Sequence, residues 1–300
     1  MINMKLVECI PNFSEGRDKK IIDAIVKEIK KVKNVSLLDV ESDPDHNRSV
    51  VTFIGEPEAV KKAAFLLTAK AKELIDMNKH KGEHPRMGAT DVIPFVPISD
   101  ITMKECVELT KQLGKEVGDK LKIPVYLYAE SATRPDRVRL PDIRKGEYEG
   151  IKKEIKTNPD KRPEFGPSEL SSAGATAVGA RPPLIAFNVN LNTTDLQVAN
   201  DIAKLIRESS GGFKAVQAKG FEIKERGLVQ VSMNLLDYNV TSIFKVFDTI
   251  KEEAKKRGVE VVGSEVIGLV PMDALIDVAE HYLKIENFKK DQILEKRLSE

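Results

Sequence analysis

The second half of the chain carries the pattern that most restricts its fold. From residue 184 onward, apolar runs and amphipathic stretches read as strand 184–191, helix 195–208, strand 214–223, strand 228–236, helix 242–257 and strand 259–266, then a helix over 272–283. Apolar residues three and four apart mark the helices, and Arg226-Gly227 marks the turn between the two central strands. The order βαββαβ is that of the ferredoxin-like split βαβ sandwich.

The first half begins the same way. A strand over residues 6–10 is stopped by Pro11, and the polar Asn12-Phe13-Ser14-Glu15-Gly16 leads to a helix over 19–33 with Ile22, Ile25, Ile29 and Val32 on one face. Strand 35–40 runs into an acidic loop, Glu41-Ser42-Asp43-Pro44-Asp45-His46-Asn47, and strand 49–54 follows. Next come helix 57–76, strand 92–96, helix 103–121 and strand 125–128. The two fourth strands are expected to end alike, at Phe95-Val96-Pro97 and Leu269-Val270-Pro271. Residues 131–172 are rich in Pro, Gly and charge, with one short helical stretch, and a loop of that length is expected to be either functional or disordered. Ala180-Arg181-Pro182-Pro183 reads as a domain boundary. The expectation is an α/β (α+β) protein of two related ferredoxin-like subdomains, 1–180 and 181–300, with a ligand site between them. The charged tail after Ile285 reads as a surface helix.

Composition removes several classes of function. With 300 residues the chain exceeds one small core, and 41% hydrophobic against 32% charged residues suits packed domains. A net charge of +1, 5% aromatics and no Trp argue against a nucleic-acid partner. No apolar run approaches the length that crosses a bilayer, and nothing at the start resembles a signal peptide. Cys9 and Cys106 lie far apart without metal or redox spacing, so a reducing cytoplasm is expected.

The chemistry gathers in His80-Lys81-Gly82-Glu83-His84-Pro85-Arg86-Met87-Gly88-Ala89, which holds two of the four histidines. Gly82 and Pro85 disfavour a continuous helix, so this is a polar loop between a helix and a strand. His84, flanked by Glu83 and near Arg86, is the candidate general base and acid. His80 and His84 do not form a zinc pair: the intervening residues break the helix and lack the His-Glu-x-x-His order, so no metal is expected. His80 would orient the loop or contact substrate. The acidic loop lacks the EF-hand arrangement; it is either a solvated turn or the source of a carboxylate that orients the imidazole. Arg48 would grip a substrate carboxylate, with Arg86 and Arg181 as further candidates. Cys9 reads as core. Residues 174–180 lack the Lys-Ser/Thr ending of a phosphate loop. Small residues in Phe165-Gly166-Pro167-Ser168 and Ser171-Ser172-Ala173-Gly174-Ala175-Thr176 would let a backbone approach a flat ligand.

Several of these motifs together resemble the formiminotransferase family. The resemblance is carried by Leu6-Val7-Glu8-Cys9-Ile10-Pro11-Asn12-Phe13-Ser14-Glu15-Gly16, by the histidine loop, by Pro124-Val125-Tyr126-Leu127-Tyr128 and by Arg144-Lys145-Gly146-Glu147-Tyr148-Glu149. Phe165-Gly166-Pro167-Ser168, Leu184-Ile185-Ala186-Phe187-Asn188-Val189-Asn190-Leu191 and Gln230-Val231-Ser232-Met233-Asn234-Leu235-Leu236-Asp237 complete it. It implies transfer of a formimino group from N-formimino-L-glutamate to tetrahydrofolate as co-substrate, in histidine degradation, commonly by a homodimer. It places the catalytic histidine at His84. It places folate contacts at Gly166, Pro167, Ser168, Glu169, Leu170, Ser171, Ser172, Ala173 and Gly174, and makes Glu41 a further substrate-side residue. Across Glu169-Leu170-Ser171-Ser172-Ala173 the chain is shorter than the animal members and lacks their aromatic, and Glu41 stands where they carry aspartate. Two rivals share the scaffold: formyl transfer involving glutamate or 5-formyltetrahydrofolate, and a folate-binding module without chemistry. An RNA-binding role is disfavoured by the absence of an aromatic RNA-binding motif.

Overall fold

The computed structural model describes residues 5–82 and 85–299, so Glu83 and His84 of the histidine loop lie outside the described residues. The chain divides into two compact units, Met1–Arg181 and Pro182–Glu300.

In the first unit, the opening strand is broken at Pro11 into β1 (Leu6–Cys9) and β2 (Asn12–Phe13). Proline lacks the N–H a ladder needs, while its carbonyl accepts from Val51 N at 3.0 Å. Helix α1 (Lys19–Lys30) starts at Asp18, whose side chain accepts from Lys20 N, and it buries Ile22, Ile25, Val26 and Ile29. Strands β3 (Val35–Asp43) and β4 (Arg48–Gly55) form a hairpin, followed by α2 (Pro57–Leu74) and β5 (Thr90–Ser99). Helix α3 (Met103–Glu116) opens with a Thr102/Glu105 capping box and runs into one π-helical turn, Val117–Leu121, so the long helix expected here is two pieces. Strand β6 (Val125–Ala129) leads into a segment holding two short helices rather than one, α4 (Leu140–Ile143) and α5 (Glu147–Glu154), and then β7 (Thr176–Ala180).

The sheet order is β3–β4–β1/β2–β5–β7–β6, antiparallel as far as β5 and parallel from β5 through β7 to β6. Its first four positions are the split βαβ arrangement; β7 and β6 extend it. On one face Val7, Cys9, Val51, Phe53 and Phe95 pack with Ile25, Ile29, Leu67 and Leu113 of the long helices. Register identifies the other face. Glu41 pairs with Val50, Val50 with Asn12, Asn12 with Val92, Val92 with Ala177 and Ala177 with Tyr126, and directly opposed residues share a side of the sheet. At the Tyr126 end of that row, Ile143, Ile151 and Ile155 cover the face. At the Glu41 end it carries polar side chains.

Strand β7 was not anticipated. Its residues are buried throughout, so the strand shows no polar alternation, and Ala and Gly are weak strand formers. Gly179 is required there because a Cβ would meet the Tyr128 ring at 2.5 Å.

In the second unit β8 (Ile185–Leu191), α6 (Leu196–Ile206), β9 (Val216–Ile223), β10 (Leu228–Leu235), α7 (Ile243–Lys256) and β11 (Val261–Ile267) follow the expected order, with α8 (Met272–Leu283) and a terminal α9 (Leu294–Ser299). The sheet runs β11–β8–β10–β9, antiparallel at each step. Phe187, Val189, Val231 and Met233 face Ile202, Ile206, Val246 and Ile250 in the core. The alternate residues form an amide row, with Gln230 donating to Asn190 Oδ1 and to Glu265 Oε1, each at 2.9 Å. The expected likeness of the fourth-strand ends is corrected: Pro97 lies within β5, whereas Leu269-Val270-Pro271 follows β11 and Pro271 precedes α8.

Phe53 is wholly buried between sheet and helices. Phe53→Ala is expected to cost about 3–5 kcal/mol of stability, read as a lowered urea midpoint, whereas Val138→Ala at an exposed position leaves the midpoint within error.

Candidate active site

The β3–β4 turn is built by its own side chains. The Asp43 carboxylate accepts from Asp45 N at 2.9 Å, His46 N at 3.0 Å and His46 Nδ1 at 2.5 Å. Burial works against ionisation of Asp43, but the bonds from His46 and Asp45 outweigh it and hold its carboxyl below the usual range. Asn47, in the left-handed region at φ 48, joins three segments. Its Oδ1 accepts from Gly16 N at 3.0 Å, its Nδ2 donates to Lys81 O at 2.9 Å, and its carbonyl accepts from His80 Nε2 at 2.9 Å. Sequence reasoning passed over this residue; an Asn closing a tight turn before a strand was the available signal.

The histidine loop is laced to this turn on one side and to residues 171–175 on the other. Gly82 lies so close to the turn that a Cβ would meet His46 O at 2.3 Å; the glycine serves contact rather than flexibility. Met77 N donates to Ser172 O at 2.7 Å, Ala89 N to Ala173 O at 2.8 Å and Ala175 N to Met87 O at 2.9 Å. Gly88 and Gly174 bridge where a Cβ on Gly88 would sit 2.0 Å from Ala175 O. Ser14 ties in from the loop before α1, its Oγ donating to Gly88 O at 2.8 Å.

Helix α5 supplies the charge partners. Arg86 is buried, and its Nη1 donates to Glu147 at 2.6 Å and to Glu149 at 2.9 Å, while its Nη2 donates to Glu149 at 2.7 Å. The Glu149 bond raises the Arg86 pKa against the opposing effect of burial, and the same bond lowers the Glu149 pKa. Arg86 Nε also donates to His80 Nδ1 at 3.3 Å. Tyr148 N donates to Arg86 O at 2.9 Å, and the Tyr148 hydroxyl to Asn78 Oδ1 at 2.8 Å. In the sequence Glu147, Tyr148 and Glu149 are only members of one motif; their partners lie some sixty to seventy residues away, beyond the reach of any spacing argument.

Arg48, opposite Asp43 in the hairpin, neighbours Arg144. Burial, then the adjacent Arg144 charge, lowers the Arg48 pKa, with Asp43, Asp91 and Glu41 opposing. Arg144 itself is paired with Asp91, whose other oxygen accepts from Met87 N at 2.8 Å. Glu8 is raised by burial and partly restored by Arg181. Of the expected site residues, the described structure therefore brings His80, Arg86, Ser171, Ser172, Ala173 and Gly174 into one hydrogen-bonded assembly beside the hairpin carrying Arg48 and Glu41. Gly166 is anchored instead at the end of α3, where a Cβ would meet Ile123 O at 2.5 Å, and Glu169 is exposed and paired with Lys156 at 2.6 Å. Leu170 packs against the core on both faces of the sheet. Pro167 is partly buried and Ser168 exposed. Among the described residues, no three His, Cys, Asp or Glu side chains group as metal ligands, and no helix is long and apolar enough to cross a membrane.

A split βαβ unit with a glycine-laced histidine loop, followed by a second split βαβ unit, defines the class. Residues 6–181 match the formiminotransferase domain, N-terminal subdomain, and residues 186–297 match the formiminotransferase domain. The chain belongs to the formiminotransferase family. It is 52% identical to the glutamate formimidoyltransferase of Streptococcus pyogenes serotype M1, over 98% of this chain and 99% of that one. It is 50% identical to the glutamate formimidoyltransferase of Thermoplasma acidophilum, over 98% of each. The formimidoyltransferase-cyclodeaminase of Mus musculus is 47% identical over 93% of this chain and 52% of its own length.

Two outcomes follow from this geometry. Asn47→Ala strands the Gly16 N–H and the Lys81 carbonyl and is expected to cost about 1–3 kcal/mol in chemical denaturation. Glu149 has its folded pKa below the unfolded value of about 4.3, so its contribution to stability is present above that value and is lost as pH falls through the folded pKa. Glu149→Gln should therefore lower Tm at neutral pH, with the gap to the parent closing in acid.

Proposed function

We propose that this chain is a glutamate formimidoyltransferase, moving the formimino group from N-formimino-L-glutamate to N5 of tetrahydrofolate to give 5-formimidoyltetrahydrofolate and L-glutamate. The observation that carries the reading is the identity of about half of all residues, across nearly the whole of both chains, with relatives that bear that name. The convergence of the histidine loop with residues 171–175 supports it, because motifs separate in sequence form one hydrogen-bonded surface.

The reaction needs one proton moved twice. N5 attacks the amidine carbon and must lose a proton, and the glutamate nitrogen must gain one as the tetrahedral adduct collapses. His84 takes the first and returns it as general base and then acid. Arg48, with Arg144 at its side, offers a cationic centre for a glutamate carboxylate, and Arg181 is a second candidate. The donors of Arg86 are committed to Glu147, Glu149 and His80, which suits a loop-holding role. Residues 166–174, with their small side chains, are assigned to the folate, and Glu41 to orienting the reacting groups. Tetrahydrofolate is a substrate here, and no metal step is invoked. The two free, buried cysteines fit a reducing cytoplasm, and the family resemblance a homodimer.

The test mixes purified protein with formiminoglutamate and tetrahydrofolate, acidifies, and reads 5,10-methenyltetrahydrofolate absorbance. Wild type is expected to give signal, and His84→Ala to lose roughly a hundredfold or more in kcat. Arg48→Ala should raise KM for formiminoglutamate more than for folate. Tight folate binding with no turnover on formimino or formyl donors would sink the enzymatic reading.

A further inference from the structure

The bonds around His80 determine its protonation state without reference to any titration. Its Nε2 lies 2.9 Å from the Asn47 carbonyl, which only accepts, so Nε2 carries the hydrogen. Its Nδ1 lies 3.3 Å from Arg86 Nε, which only donates, so Nδ1 presents a bare lone pair. Both ring nitrogens are used, and a second proton would have to sit on Nδ1, facing the Arg86 N–H. The neighbouring charges act in both senses. Arg86 and, from the segment before α1, Arg17 favour the neutral ring; Glu15 and the Glu149 carboxylate from α5 favour its protonation, and Glu149 is bonded to Arg86.

Arg86 donates to more than the ring. Its Nη2 also donates to the His80 carbonyl at 3.4 Å, so side chain and backbone of residue 80 are fastened to residue 86. These two positions bracket residues 81–85, the run that includes His84 in the sequence. Glu147 and Glu149 hold the guanidinium from the far side.

We propose that His80 is a positioning residue, a permanently neutral imidazole that with Arg86 staples the two ends of the segment carrying His84, and that α5 anchors the staple through Glu147 and Glu149. The proposal rests on the reading of His84 as the proton carrier. It divides labour between the two histidines: one moves protons and the other is barred from doing so by its hydrogen bonds.

Nitrogen NMR on histidine-labelled protein tests the state of the ring, with His80→Asn identifying its signals. The expected spectrum has Nε2 protonated and Nδ1 bare, unchanged between about pH 5 and 8. In Arg86→Met, which removes both the donor facing Nδ1 and the neighbouring positive charge, the ring should begin to titrate within that window. In Glu147→Gln/Glu149→Gln, where the anchor is lost, kcat should fall by about ten- to a hundredfold with KM for both substrates unchanged. His80→Gln, whose amide can donate to Asn47 and accept from Arg86, should retain most of the kcat that His80→Ala loses. A His80 ring that titrates in the parent near the ordinary value of about 6.5, or His80→Gln as inactive as His80→Ala, overturns the proposal. Full activity in His84→Ala overturns the reading of His84 instead, and leaves the ring spectrum to decide the state of His80 by itself.

Discussion

The first unit depends on one approach of backbone to backbone that leaves no room for a side chain. Where Gly88 crosses Gly174, a Cβ on either would lie within 2.3 Å of a carbonyl oxygen of the other segment. That contact joins the histidine loop to residues 171–175 immediately before β5 and β7 begin, and the parallel pairing of Val92 with Ala177 continues from it. Two loops that would each wander are thereby fixed to the most buried strands of the sheet. Catalytic groups need such support, because a small displacement costs a large factor in rate.

Charge is the second constraint. Arg86, Asp91 and Arg137 are buried, and burying an ion is costly unless it is paired and hydrogen-bonded. Each has that pairing: Arg86 with Glu147 and Glu149, Asp91 with Arg144, Arg137 with Glu164. All four partners, Arg144, Glu147, Glu149 and Glu164, come from the irregular stretch between β6 and β7. That stretch, unpromising as a packed element, is therefore the part of the unit that neutralises and orients the polar loops.

How much of this was legible depended on whether an element had a wet face. The helices α1, α2, α6 and α7 bury one stripe, and the central strands of the second unit alternate apolar residues with Asn188, Asn190 and Gln230, so their period shows in the residues. Strand β7, buried on both faces and built of small residues, has no such period, and the end of the second unit's fourth strand was misplaced for want of a cap. At the site, residue types were informative and partners were not. His80 and Arg86 stood out as chemical groups, but Arg86 looked available for substrate because Glu149, 63 residues on, was invisible as its partner. Asn47 looked like one polar loop residue among several.

Side-chain period and turn chemistry act over a few neighbouring residues, and they suffice for the order of elements in the second unit, its split βαβ pattern and the family to which the motifs belong. The clamp of residues 80, 86, 147 and 149, the joining of three segments at Asn47 and the need for glycine at 88 emerge only from the folded arrangement. Those are contacts between stretches brought together by chain closure, and their directionality, donor facing acceptor at about 3 Å, exists only once both stretches are in place.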